Sequence, residues 1–468
     1  MSGAIRYLAN ATLEGSHLVR HHPGKPNVIV FFTDQQRWDS TGLHGNPLEL
    51  TPNLDRVARA GTHVAYSFTN QPVCGPARSS MQTGMYATAT GCWRNGIPLD
   101  SSLPTLTNHF REAGYRTGYI GKWHLAASEP VAEAERGAYQ DWLAANLLEF
   151  ASGPYDARFF DGNGDTVELP GYRVDAQTDA AIRYIDAHKE EPFFLFCSYL
   201  EPHHDNRVDD YPAPLGYRER YEARWTPPDL TALGGTSQQH LPGYWGMVKR
   251  LDETFGRLMD ALHSLDLTDN TIVLFTSDHG NHFKTRNNEY KRSCHDASIR
   301  VPTVFMGSGF RGGGQVQDLV SLVDLPPTLL DAAGIPAPKT MQGRSIMPLI
   351  RHEPDADWPQ DVFIQISESE VGRAIRTKRW KYHIRAEGAD PWRDPGSDTY
   401  TEHSLFDLQV DPYELNNLIG FDSHRALCDR LKERLIRRMV EAGEAAPMIE
   451  NAPARKSSLF LTDHELTQ

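Results

Sequence analysis

Four strand-length apolar runs, each broken off by residues able to bind metal or move protons, constrain this chain more than any other feature. Val28-Ile29-Val30-Phe31-Phe32 runs into Thr33-Asp34-Gln35, and Phe193-Phe194-Leu195-Phe196 leads through Tyr199 to Glu201-Pro202-His203. Ile272-Val273-Leu274-Phe275 stops at Ser277-Asp278-His279-Gly280, and Tyr115 to Ile120 gives way to Gly121-Lys122-Trp123-His124. Unbroken apolar runs of this length suit parallel strands buried on both faces. Helix-like segments separate them, roughly Asn53 to Ala60, Leu106 to Ala113, Ala176 to Lys189 and Tyr244 to Leu265. The alternation predicts an α/β fold, a large mostly parallel sheet sandwiched by helices. Ligands of such sheets bind beyond the carboxyl ends of the strands. Four polar strand ends therefore predict one shared site.

At 468 residues the chain is long enough for a large core and an appendage. We expect an N-terminal extension over 1–26, an α/β domain over 27–359 and a smaller C-terminal α+β subdomain over 360–468. In the last region Asp361 to Ser367, Arg373 to Ile384 and Ser404 to Leu408 read as strands of a small antiparallel sheet. Arg425 to Gly443 reads as an amphipathic helix closing it. The net charge of −14 argues against a nucleic-acid or anionic-membrane partner. Residues 1–26 carry no apolar stretch of signal-peptide or anchor length, which predicts a cytoplasmic protein. The five cysteines are scattered, odd in number and without CxxC spacing, so neither a disulfide framework nor a zinc knuckle is indicated.

One cysteine stands apart. Cys74 opens the run Cys74-Gly75-Pro76-Ala77-Arg78, with Pro76 suited to a first helical turn and Gly84 to its close. A thiol there would sit at a helix N-terminus, where free N–H groups favour anions.

The pattern C-x-P-x-R followed by Ser79, Thr83 and Gly84 resembles the signature of type I sulfatases, of the alkaline phosphatase-like superfamily. Gly121-Lys122-Trp123-His124-Leu125 is similar to the GKWHL element of that family. Phe406-Asp407-Leu408 with Asp411-Pro412-Tyr413-Glu414 resembles its C-terminal subdomain. The resemblance implies that Cys74 is oxidised by a formylglycine-generating enzyme to formylglycine, whose hydrate attacks a sulfate ester. It implies one divalent cation, Ca²⁺ first and Mg²⁺ or Mn²⁺ next, held by Asp34, Gln35, Asp278 and His279 together with residue 74. Asp34-Gln35 and His279 depart from the commoner acidic pair and Asn, and an imidazole moves preference toward Mn²⁺ or other transition ions.

By the same resemblance Arg78 would bond the hydrated aldehyde, Lys122 a sulfate oxygen and His124 the nucleophile. His203, with Lys291, would protonate the leaving oxygen. Asn95, Arg94, Trp123 and His204 are candidates for binding the substrate. Each alone would be read as a helix cap or an exposed side chain; together they indicate catalysis. The expected reaction is hydrolysis of a sulfate ester of a mono- or oligosaccharide, releasing inorganic sulfate. Assembly as a homo-oligomer stays open.

Two other readings compete. Asp34-Gln35, Asn95 and Pro98-Leu99-Asp100 also resemble phosphonate monoester and phosphodiester hydrolases of the superfamily, which generally lack GKWHL. A non-catalytic carbohydrate-binding relative would not need every catalytic position filled. Gly307-Ser308-Gly309-Phe310-Arg311-Gly312 spells GxGxxG, but Gly313-Gly314-Gln315-Val316 reads as loop and then strand, so no dinucleotide site is expected.

Overall fold

The computed structural model of the protein describes residues 25–353, 357–456 and 463–467. The expected extension over 1–26 lies outside them except for its last two residues. Among the described residues the strands form two sheets. The larger contains β1 (Asn27–Thr33), β2 (Thr62–Phe68), β3 (Arg116–Lys122), β4 (Asp141–Ala145), β5 (Ala157–Asp161), β6 (Thr166–Leu169), β7 (Phe193–Ser198), β8 (Thr271–Ser277), β9 (Val304–Met306) and β10 (Gly314–Ser321). Their spatial order is β10-β2-β9-β8-β1-β7-β3-β4-β5-β6. The centre, β8-β1-β7-β3-β4, is parallel throughout. Short β9 runs antiparallel between β2 and β8, and β5 and β6 finish one edge antiparallel.

The uniform apolarity of the central runs follows from their burial. Val28, Val30 and Phe32 of β1 join one hydrophobic layer with Phe194, Phe196, Ile272 and Leu274. Ile29 and Phe31 join the opposite layer with Phe193, Leu195, Val273 and Phe275. Successive side chains alternate between faces, and helices cover both. The Arg173–Ala187 and Ser237–Ser264 helices supply much of the second layer. Both begin earlier than the periodicity alone indicated.

Strands β11 (Asp361–Ile366), β12 (Gly372–Thr377), β13 (Trp380–Arg385) and β14 (Thr399–Asp407) form an antiparallel sheet, extended in parallel by β15 (Met448–Glu450). The Arg425–Glu441 helix packs Leu427, Leu431, Leu435 and Met439 against it. Trp380 begins its own strand after a turn, so the expected single segment from Arg373 to Ile384 is a hairpin. The GxGxxG stretch is a loop feeding β10. Among the described residues no helix is long and apolar enough to cross a membrane.

Candidate active site

Residues 74–83 form a helix that starts at Cys74 and ends where Gly84, at φ 68°, donates its N–H to the Ser80 carbonyl at 2.8 Å. Pro76 occupies the first turn, where its missing N–H costs nothing. Every residue of this helix is buried. The thiol is thereby pressed against the carboxyl ends of β1 and β8.

Cys74 Sγ lies 3.6 Å from Asp34 Oδ1 and 3.2 Å from His279 Nε2. His279 Nδ1 donates to the Gly280 carbonyl at 2.9 Å, which leaves the lone pair on Nε2. That nitrogen stands 3.6 Å from Asp34 Oδ1 and 3.5 Å from Asp278 Oδ1. One donor atom from each of Asp34, Cys74, Asp278 and His279 falls within 4.8 Å of the others. Asp278 Oδ2 is buried without a hydrogen-bond partner. Its nearest charge is the Arg78 guanidinium at 3.3 Å, and a hard cation would offset the remaining cost of burying it. The donor set fits a divalent ion. Gln35 is placed differently from the expectation. Its backbone, at φ 66°, donates N–H to Asp278 Oδ1 at 3.0 Å, while its Oε1 accepts from the His204 N–H at 3.0 Å. Its side-chain oxygen is thus turned to the backbone at residue 204.

Three cations surround these groups. Arg78 sends Nη2 to Asp34 Oδ2 at 2.9 Å and Nη1 to Ser198 Oγ at 2.6 Å and the Lys122 carbonyl at 3.0 Å. Lys122 Nζ contacts Asp34 Oδ2 at 2.9 Å and Glu149 Oε1 at 3.2 Å. Lys291 Nζ lies 2.8 Å from Cys74 Sγ and 3.1 Å from His203 Nε2. His203 Nδ1 donates to the His204 carbonyl at 2.6 Å, so its Nε2 accepts from the Lys291 ammonium. His124 adopts φ 61° and stands beside the sulfur, 3.9 Å from Glu149. Asn95 Oδ1 accepts the Gly75 N–H at 2.9 Å. Gly121 lets β3 approach β7 here: a Cβ at that position would lie 1.9 Å from the Ser198 carbonyl oxygen.

Charge decides the protonation of the cluster. Burial presses the Cys74 thiol toward neutrality, yet Lys122 and Lys291 hold its pKa well below the ordinary thiol range. Burial and Cys74 raise Asp34, but Lys122 and Arg78 outweigh them and keep it ionised far below the usual carboxylate range. Burial and the neighbouring Asp34 push Asp278 up to about 7. His203 is held below the ordinary imidazole value by burial and by Lys291.

Not every expected residue joins the cluster. The Trp123 ring is buried among Tyr119, Tyr139 and Trp142, where it borders a separate cavity of about 540 Å³ with Asp100, Thr105 and Gly137. Strand β3 ends at Lys122, and the next side chain points into the apolar layer instead. Arg94 turns its guanidinium to the Asn95 carbonyl, 2.9 Å away. His204 stacks on Tyr290 with ring centroids 4.2 Å apart. Sequence reasoning missed Glu149, Ser198 and Glu368. Glu368, just beyond β11, accepts the Asn95 N–H at 2.6 Å and pairs with Arg292 at 2.6 Å, tying the smaller sheet to the site.

The sulfatase family model matches residues 26–335, and the model for the N-sulphoglucosamine sulphohydrolase C-terminal region matches 288–441. The chain belongs to the sulfatase family. This sulfatase is a sulfuric ester hydrolase on the alkaline phosphatase-like fold. It is 29% identical over 439 residues to an ulvan-active sulfatase of Formosa agariphila, covering 90% of this chain and 82% of that one. The yidJ structure from Bacteroides fragilis superposes with TM-score 0.79 at 24% identity, covering 90% of this sulfatase and 97% of that chain. A structure solved in complex with its substrate, D-glucosamine-2-N,6-O-disulfate, superposes with TM-score 0.74 at 23% identity, covering 90% and 98%.

Proposed function

We propose that the protein removes sulfate from a sulfated mono- or short oligosaccharide, with residue 74, matured to formylglycine by a formylglycine-generating enzyme, as nucleophile. The convergence of Cys74 with Asp34 and His279 at 3.2–3.6 Å and with Lys291 at 2.8 Å carries this reading. Asp34, Asp278 and His279, with residue 74, would hold one divalent ion, Ca²⁺ first among candidates. When bound, the ion would supply charge that acidifies a hydroxyl of the hydrated aldehyde at residue 74, the group that would attack sulfur.

The chain's own residues do the rest. Arg78, fixed by Ser198, Asp34 and the Lys122 carbonyl, would bond the hydrated aldehyde at residue 74. Lys122 and Asn95 orient sulfate oxygens. Lys291 Nζ, anchored by one N–H donated to His203 Nε2, keeps its other N–H protons for the departing oxygen. Asp34, Asp278 and Glu149 balance Arg78, Lys122 and Lys291, so a divalent ion leaves the pocket positive overall. That local charge draws a sulfate ester despite the −14 of the whole chain.

Relatives whose names or substrates are sulfated sugars or ulvan support a saccharide substrate. A panel of defined sulfated saccharides, assayed for released sulfate beside aryl sulfate and aryl phosphonate esters, tests the reading. Turnover of short sulfated saccharides and of aryl sulfate is expected. Faster turnover of the phosphonate, or of a long polymer than of its disaccharides, would overturn it.

A further inference from the structure

One residue along the chain from His203, and one from Lys291, lies a second group of donor atoms that catalysis does not use. His204, the Asp205–Asp210 turn, the first turn of the Ser237–Ser264 helix and Tyr290 meet there. One ring nitrogen of His204, one of His240 and a carboxylate oxygen of Asp209 lie within 4.8 Å of one another. The two imidazoles are buried, while the Asp209 side chain is exposed.

Proton accounting shows what this group lacks. His204 Nδ1 faces Asn206 Oδ1 at 3.0 Å, so Nδ1 carries the proton and Nε2 a lone pair. Nε2 in turn faces Asp209 Oδ1 at 3.0 Å, lone pair against carboxylate. The Tyr290 hydroxyl is 3.0 Å from His204 Nε2 and 3.2 Å from Asp209 Oδ1, but it has a single proton for the two. His240 Nε2 donates to the Asp209 carbonyl at 2.9 Å, and its Nδ1 is buried with no hydrogen-bond partner at all. An imidazole facing a carboxylate at 3.0 Å, beside a second buried imidazole with a partnerless nitrogen, is a donor set that a metal ion would complete.

We propose that His204, Asp209 and His240 form a second metal site, taking a borderline transition ion such as Zn²⁺ in preference to Ca²⁺. Two imidazoles and one carboxylate suit that class, whereas Ca²⁺ needs six or more oxygen ligands. In a tetrahedral site with bonds of about 2.0–2.1 Å, donor atoms stand about 3.3 Å apart. The 3.0 Å between His204 and Asp209 is already close to that separation. Asn206 on His204 is an outer partner of the kind that fixes an imidazole ligand in such sites. Three protein ligands leave a fourth position open.

The test is metal content, which is independent of whether residue 74 is the nucleophile. Full-length protein stripped with chelator is equilibrated in excess Ca²⁺, titrated with Zn²⁺, desalted and assayed for bound zinc. One equivalent of zinc is expected on the wild type and on Asp278→Asn. Co²⁺ in its place should give the intense visible absorption of a four-coordinate ion. His204→Gln and His240→Gln should lose the zinc, and Asp209→Asn should bind it at least about 10-fold more weakly. Asp209→Asn changes an exposed side chain, so it reports even if a buried histidine variant fails to fold. Absence of zinc on the wild type in Ca²⁺, or zinc bound equally by Asp209→Asn, would overturn the proposal.

Discussion

Lys291 Nζ stands 2.8 Å from the Cys74 sulfur, although 217 positions separate the two residues. The same ammonium touches His203 at 3.1 Å, so nucleophile and proton donor share one small space. If Lys291 and His203 serve the leaving oxygen, their loss should depend on how much help that oxygen needs. Lys291→Ala and His203→Ala should each lower kcat/KM on a sugar sulfate by about 10²–10⁴-fold. The loss on a nitrophenyl sulfate, whose leaving group departs without a proton, should be far smaller. Equal losses on both substrates would contradict the assignment.

Among the described residues Arg78 is the sole guanidinium bonded to Asp34, and it lies 3.3 Å from Asp278 Oδ2. Removing one partner of buried charges typically costs about 3–5 kcal/mol. Arg78→Ala should therefore shift the denaturation midpoint of the ion-free protein by an amount of that order. A change below about 1 kcal/mol, the range of ordinary surface pairs, would show that the carboxylates do not depend on it.

Chelation addresses the ion directly. Stripped protein should lose sulfate release and regain it with Ca²⁺. Saturation at about 100 times Kd should raise stability by about 2.7 kcal/mol. Asp278→Asn should blunt both effects, since it removes one of the carboxylates that would hold the ion. Full activity in chelator would contradict the ion's role.

Asp252 offers a pH signature away from the site. From the Ser237–Ser264 helix it accepts the N–H groups of Asn53 and Leu54 at 3.1 and 2.8 Å, capping the Pro52–Ala60 helix. Burial nevertheless raises its pKa from 3.8 to about 6. Between those values the folded protein binds more protons than the unfolded chain, so this group makes stability fall as pH rises from about 4 to 6. Asn cannot titrate. Unfolding free energies of Asp252→Asn relative to wild type should thus improve across that window by something on the order of 2–3 kcal/mol. A difference flat with pH would contradict the shift.

How much of this was legible in the sequence depended on whether a residue's neighbour in space was also its neighbour in the chain. Asp34, Lys122, His203 and Asp278 follow strands whose apolar runs stand out, so their convergence could be read from strand-end topology. Glu149 could not: β4 is short, and its partner Lys122 belongs to another strand. Glu368 reaches Asn95 from the smaller sheet across 273 positions, with no local pattern to announce it. Trp123, expected near substrate, packs instead beside Tyr119 and Trp142 in the apolar layer, a contact between β3 and β4 that the local sequence does not announce.

The most direct measurement couples chemistry at residue 74 to turnover. Preparations made with graded amounts of formylglycine-generating enzyme are assayed for sulfate release, and the peptide containing residue 74 is weighed in each. Specific activity should rise in proportion to the fraction in which the thiol has become an aldehyde, and extrapolate to zero where none has. Full activity from protein whose Cys74 keeps its sulfur would contradict it.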